Sequence, residues 1–180
     1  MKWKTKILSL LCALLVMGAC APSQPSVDPA SILIVYYSHT GHTQEAAGEI
    51  RDRTGGTLAQ IIRQQPYEDL YTQAEAEITN GERPAISLDV ENVEDYDVIF
   101  VGYPIWWEEA PAMIATFLSS YDLSGKGIIP FCTSASDPID TSVHIFDELC
   151  PDAQIEEGFE ANSSEEIRRA LSDLGLLREA

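Results

Sequence analysis

Near-continuous apolar runs alternate with amphipathic stretches along most of this chain. Residues 32–37 are apolar or aromatic at every position, and after a hydroxyl-rich sextet residues 44–53 carry their apolar side chains at helical spacing. The same switch recurs at 57–62 and 67–79, at 98–103 and 112–120, at 127–131 and 140–149, and at a short run 154–157 followed by 164–174. The pattern predicts five strands with intervening helices. Runs such as Ile32-Leu33-Ile34-Val35 and Val98-Ile99-Phe100-Val101 have no polar alternate, so both of their faces are buried, as in a parallel sheet covered by helices on both sides. The expected architecture is a three-layer α/β domain, doubly wound, with a five-stranded parallel sheet in the order 2-1-3-4-5. Thr43, Asp140 and Ser163-Ser164 read as helix starts, the last followed by Glu165 and Glu166, while Gly55-Gly56 ends the first helix. Leu171, Leu174 and Leu177 form a closing apolar stripe. Residues 64–92 are long for a connection, with a helix first and an irregular Gly81-Glu82-Arg83-Pro84 after it; they either shape a rim near a site or only cover the sheet edge.

The first 20 residues follow a different logic. Lys2, Lys4 and Lys6 precede an apolar stretch, residues 7–17, that is short for a membrane span and reads as an export signal. Val16-Met17-Gly18-Ala19-Cys20 resembles the bacterial lipoprotein cleavage box, with Met17 where Leu is commoner. That resemblance implies lipidation of Cys20; ordinary cleavage, leaving a free or disulfide-bonded cysteine, is the other reading. Several acyl chains would anchor the protein stably, each buried methylene contributing about 0.8 kcal/mol. Pro22, Pro25 and Pro29 lie among Ser and Gln in residues 21–30, an extended tether of at most ~35 Å. The expected division is therefore 1–20 signal peptide and lipidation site, 21–30 flexible tether, and 31–180 a single folded domain. The protein would be exported and held to a cell membrane on its extracytoplasmic side.

Charge narrows the partners. The chain has 11 basic and 29 acidic residues, a net charge of −18. Residues 1–19 contain three lysines and no acid, so the mature chain keeps eight basic residues and a charge of about −21. This balance disfavours nucleic acid as a partner; the charge is either simply a solvated acidic surface or a field that attracts basic proteins or cations. Of the four cysteines, Cys12 leaves with the signal and Cys20 is the lipid site. Cys132 and Cys150 remain, either as a disulfide or as two buried thiols.

In a doubly wound sheet, ligands collect at the carboxyl ends of the strands where strand order reverses. Three loops qualify. Ser38-His39-Thr40-Gly41-His42-Thr43 places hydroxyls, a glycine and free N–H groups where a strand hands over to a helix, an anion cradle suited to a phosphomonoester. It holds no Lys or Arg, which disfavours nucleotide hydrolysis. The second loop, Pro104-Ile105-Trp106-Trp107-Glu108-Glu109-Ala110-Pro111, puts two indoles and the preceding Tyr103 beside the cradle; neighbours on an extended loop point to opposite sides, so at most one indole lies on a planar ligand while the other packs inward, or both plug the loop from beneath. Thr133-Ser134-Ala135-Ser136-Asp137-Pro138 can bring backbone amides against a ring edge. His39 and His42 have no further His or Cys nearby to complete a metal set, and His144 falls within a helix at the surface. No hydrolase elbow is present, and the acidic strand ends of a phospho-accepting receiver are replaced by Tyr36, Tyr37 and Gly102-Tyr103.

These three motifs, in this order, resemble the flavodoxin-like FMN-binding family, over about residues 31–176, and most nearly its secreted bacterial lipoprotein branch. The resemblance implies a flavodoxin-like fold with FMN as cofactor: phosphate on Ser38, Thr40, Gly41, His42 and Thr43, with His39 of the same loop also among the cofactor-binding residues, isoalloxazine against Pro104, Ile105, Trp106 and Trp107, and Thr133, Ser134 and Ala135 along the far edge. His42 stands where Asn or Gln is frequent, Glu108 where Gly is common, and residues 135–138 where relatives are glycine-rich. Glu108 suits a positive φ poorly, so a differently shaped turn is expected there. The implied activity is electron transfer by a membrane-tethered carrier docking with a basic redox partner, with no catalytic protein residue. Glu108 and Glu109 near the ring would lower its potential. An FMN-dependent NAD(P)H:quinone or small-acceptor oxidoreductase, and a flavodoxin-fold lipoprotein without cofactor, are the alternatives.

Overall fold

The computed structural model describes residues 27–178. The signal segment, the Cys20 site and tether residues 21–26 lie outside the described residues. The chain runs through β1 (Ile32–Tyr36), α1 (His42–Thr54), β2 (Thr57–Gln60), β3 (Ile62–Arg63), α2 (Leu70–Asn80), β4 (Ile86–Ser87), β5 (Val98–Pro104), α3 (Ala112–Ser120), β6 (Gly127–Thr133), α4 (His144–Leu149), β7 (Gln154–Ile155), β8 (Phe159–Glu160) and α5 (Ser164–Asp173). Single turns of 3-10 helix occur at Pro29–Ser31, Val93–Asp95 and Ile139–Thr141. The first of these, capped by the Asp28 carboxylate accepting from the Ala30 N–H at 3.0 Å, folds residues that read as tether.

The main sheet is parallel, ordered β2-β1-β5-β6-β7, with β8 also pairing with β6. Taken as successive strands of that sheet, this is the expected 2-1-3-4-5. All five residues of β1 and the middle five of β5 and of β6 are buried, which their unbroken apolar runs require. Alternate residues sort to the two faces. Leu33, Val35, Ile99 and Val101 meet Met113 and Phe117 of α3 and Phe146 of α4. Ile32, Ile34, Phe100 and Phe131 meet Ala47 and Ile50 of α1 and Ile167 and Leu171 of α5.

Several elements differ from the sequence expectation, each for a local reason. The second apolar run is split into β2 and β3 at Ile61, whose N–H reaches the Tyr36 carbonyl at 2.7 Å, and β3 turns away to pair antiparallel with β4. The long connection thus contains a second, two-stranded sheet. The last strand is also in two pieces. Its register against β6 slips by one residue between Ile128↔Ile155 and Phe131↔Phe159, and Pro130, which has no N–H to offer an edge strand, sits at the break. Helix α1 starts at His42 behind Gly41 rather than at Thr43, and α4 starts at His144 rather than at Asp140, which lies in a 3-10 turn. His144 is therefore the first residue of α4. Ser163 caps α5 as its sequence suggests, its hydroxyl accepting the Glu166 N–H at 3.3 Å, and Gly55 ends α1 at φ 79°. Among the described residues no helix is long and apolar enough to cross a membrane.

Gly102, near the carboxyl end of β5, faces the Phe131 ring of β6 so closely that any Cβ would enter it. Phe131 is in turn stacked on Phe159 at 5.9 Å and has nowhere to move. Gly102→Ala is therefore expected to destabilise the fold by about 1–3 kcal/mol, read as a lowered urea midpoint with an unchanged slope.

Candidate functional site

Because β1, β5 and β6 are hydrogen-bonded neighbours, the loops that leave their carboxyl ends meet. A cleft of about 670 Å³ lies there, lined by Thr40 and His42 of the first loop, Pro104 and Ile105 of the second, and Thr133, Ser134 and Ala135 of the third. Glu45, Ala46 and Glu49 of α1 and Ala161, Asn162, Ser163, Ser164 and Ile167 at the start of α5 complete it. No Lys or Arg is among these residues.

The first loop opens α1 without a side-chain cap. Gly41, at φ 98°, is the N-cap, and a left-handed conformation there favours glycine. The first helical hydrogen bond runs from the Glu45 N–H to the Gly41 carbonyl at 2.9 Å, so the N–H groups of His42, Thr43 and Gln44 precede the helical ladder. The hydroxyls divide into two sets. Ser38 Oγ accepts from the Gly41 N–H at 3.1 Å and shapes the loop, while Thr43, 1 % exposed, shares a 2.8 Å hydrogen bond with Thr133 Oγ1. Thr40 and His42 face the cleft. Thr43 is thus the joint between the first and third loops.

The second loop closes on itself. The Trp106 N–H donates to the Glu109 carbonyl at 2.9 Å and the Glu109 N–H to that of Trp106 at 3.0 Å, with Trp107 at φ 50° and Glu108 at φ 62°. Two positive φ values between reciprocal hydrogen bonds define a type I′ turn, which side chains other than Gly, Asn and Asp disfavour. Glu108 takes the conformation its side chain resists, instead of diverting the turn. The indoles meet each other edge-on at 6.4 Å but sit in different surroundings. Trp106 is half-buried and meets Tyr37, His39 and Tyr67 edge-on at 5.6, 6.1 and 6.3 Å, whereas Trp107 is 41 % exposed beside Tyr71. Tyr103 belongs to the core rather than to the site: its ring is fully buried on Phe146 and its hydroxyl pairs with Ser142 at 3.1 Å.

In the third loop the small residues mostly hold one another. Ser134 Oγ accepts from the Ser136 and Asp137 N–H groups at 3.3 and 2.8 Å, and the Ser134 N–H is taken by Asn162 Oδ1 at 3.0 Å. Those three amides are therefore committed to the loop's own shape, and Ala135 forms the lip. Cys132 and Cys150 are separate, buried, unpaired thiols. Burial pushes Cys132 up to about 12, with Glu160 and Glu166 adding to the effect, and Cys150 up to about 11.

The sequence model of the flavodoxin family matches residues 31–173. A solved structure from Bacteroides eggerthii, assigned as a flavoprotein, is 35 % identical, with a TM-score of 0.74 over 81 % of this chain and 98 % of that one. The chain belongs to the flavodoxin family. A second Bacteroides structure, from B. uniformis and likewise assigned as a flavoprotein, is 29 % identical at a TM-score of 0.72 over 81 % and 99 % of the two chains. A Lactobacillus acidophilus flavoprotein solved in complex with FMN shares the fold at 24 % identity and a TM-score of 0.66, covering 78 % of this chain and 97 % of its own. No curated protein matches the sequence.

Within this flavodoxin-family chain, residues 64–92 do more than cover the sheet edge, because Tyr67 reaches Trp106. Asn162 and the residues before α5 carry no signal for the cleft in the sequence pattern, because the short run 154–157 stops before β8 and nothing local marks the return to the cleft. Relieving the turn is a direct test of its strain: Glu108→Gly should stabilise the fold by about 1 kcal/mol, seen as a raised urea midpoint. The thiols give a second test. A pKa raised on folding means that the unfolded chain ionises first, so stability is unaffected below the ordinary thiol value of 9.0 and falls as pH rises from there towards about 12. Cys132→Ala should flatten that alkaline decline, measured by urea unfolding between pH 8 and 11.

Proposed function

We propose that the mature protein binds FMN non-covalently in this cleft and works as an electron carrier tethered to the extracytoplasmic face of a bacterial membrane through Cys20. One juxtaposition supports the cofactor: the open amides of α1, with Thr40 and His42, lie at the mouth of a cleft walled by Pro104 and Ile105. The donor set fits a phosphate dianion, which a helix N-terminus and neutral hydroxyls can hold without Lys or Arg. The volume lies within the range of small-molecule sites, about 300–1,000 Å³. The family membership and the FMN complex of the L. acidophilus relative point the same way.

When bound, FMN supplies the redox chemistry. The chain supplies position and field. Pro104 and Ile105 offer an apolar wall, Trp106 backs the second loop, and the Thr43–Thr133 bond sets the distance between the cradle and the third loop. Glu45 and Glu49 line the cleft and Glu108 and Glu109 ride on the turn, so an added negative charge on the ring is opposed and the potential is lowered. The same acidic surface suits docking with a basic redox partner.

Protein lacking residues 1–20 should purify yellow or take up FMN, binding it at least tenfold more tightly than riboflavin. Thr40→Ala should weaken FMN about tenfold, the loss of one hydrogen bond to a charged group, and leave riboflavin unchanged. Redox titration should place the second-electron potential below that of free FMN. Rapid NAD(P)H oxidation with a quinone and no partner reductase would assign the protein as an oxidoreductase instead; a colourless protein that gives no heat with FMN would make it a cofactor-free scaffold. In cells, Cys20→Ala should abolish incorporation of labelled palmitate.

A further inference from the structure

Behind the indole turn lies a polar cluster that the cleft itself does not use. Glu77 of α2 is 5 % exposed. One of its carboxylate oxygens accepts from Arg63 Nη2 of β3, and the other accepts from the Tyr67 hydroxyl at 2.6 Å. The Arg63 guanidinium lies over the Tyr67 ring, 4.3 Å from its centroid. Tyr67 also reaches Met113 Sδ of α3 at 3.3 Å, and its ring meets Trp106 edge-on at 6.3 Å. Tyr37 meets Trp106 at 5.6 Å.

This is an expensive way to hold a segment in place. Taking a carboxylate and a guanidinium out of water carries a large desolvation cost, and apolar side chains of the same volume commonly give equal or greater stability. Arg63 adds to the cost, because its Nε is buried with no hydrogen-bond partner. What an apolar cluster would not supply is direction. A hydrogen bond at the phenol oxygen and a cation over one face leave the Tyr67 ring a single orientation, and the edge it then presents touches Trp106. Burial, followed by the bond to Glu77, pushes the Tyr67 hydroxyl well above the ordinary phenol range, so it stays a donor at any working pH.

We propose that Glu77 is a positioning residue of the cofactor site, acting through Arg63 and Tyr67 to fix the Trp106 indole and the turn that carries it. The inference rests on the FMN reading above. Glu77 touches no ligand; it decides how rigidly the indole side of the cleft is set. Disturbing it therefore acts on recognition of the ring and spares recognition of the phosphate, which is held by α1 on the far side of β1.

The test uses the mature protein with Glu77→Ala, Glu77→Gln and Tyr67→Phe, and with Glu82→Gln as a control on an exposed carboxylate of the same segment. Dissociation constants for FMN and riboflavin, the visible circular dichroism of the bound flavin and its second-electron potential are measured for each. The Trp106 indole N–H resonance is followed in flavin-free protein, assigned by Trp106→Phe. Glu77→Ala should weaken FMN and riboflavin by the same factor, about tenfold, leave inorganic phosphate competition unchanged, and alter both the dichroism and the Trp106 resonance. Glu77→Gln, which can still accept from Tyr67 but turns an amide N–H towards Arg63, should fall between wild type and Ala. Tyr67→Phe removes a single hydroxyl and carries the test if Glu77→Ala does not fold. Wild-type binding with all three variants within twofold, the dichroism, potential and Trp106 resonance unmoved, would overturn the inference and leave the FMN reading standing. Failure of the wild-type protein to bind FMN would overturn that reading and this inference together.

Discussion

The hydrogen-bonded adjacency of β1, β5 and β6 is the constraint from which the rest follows. Three strands buried on both faces cannot slide, because a one-residue slip would turn every apolar side chain to the wrong layer. Their carboxyl ends are therefore fixed side by side, and loops separated by some ninety residues of sequence are delivered to one place. The 2.8 Å bond between Thr43 and Thr133 spans that sequence gap directly. A glycine at residue 102 allows the arrangement, since it leaves room for the Phe131 ring between neighbouring strands. The cleft is thus a by-product of sheet geometry before it is a binding site.

What the sequence made legible is what is written in local periodicity. The runs at 32–37 and 98–103 announce strands buried on both sides, and residues 112–120 match α3 end to end. The cap at Ser163 and the terminator at Gly55 also act through near neighbours. Features decided by distant contacts were not legible. The break of the last strand depends on Pro130 in the strand beside it, and the burial of Thr43 depends on Thr133. Tyr103 looked like part of an aromatic site from its place in the chain, and only the register shows that its side chain points into the core beside Phe146. The cluster of Arg63, Tyr67 and Glu77 has no motif spacing, because its members come from a strand, a loop and a helix.

The site region concentrates the features that work against stability. Trp107 and Glu108 hold positive φ, Arg63 Nε goes unpaired, and carboxylates gather around the cleft and the turn. The sheet beneath carries these costs, with two apolar layers that close over β1, β5 and β6. Strain and charge at one rim, backed by a rigid floor, is the usual division between binding surface and scaffold.

The start of the described chain has a spatial meaning of its own. Val27 and Pro29 rest near Ile32, Thr54 and Leu176, at the amino end of β1, while the cleft opens at the carboxyl end of that strand. Entry and opening are opposite poles, separated by the length of the sheet, about 17–23 Å for strands of five to seven residues. Nothing in residues 27–31 crosses the carboxyl rim of the sheet, so a visitor approaching the mouth meets the three loops and the start of α5 without first displacing the incoming chain.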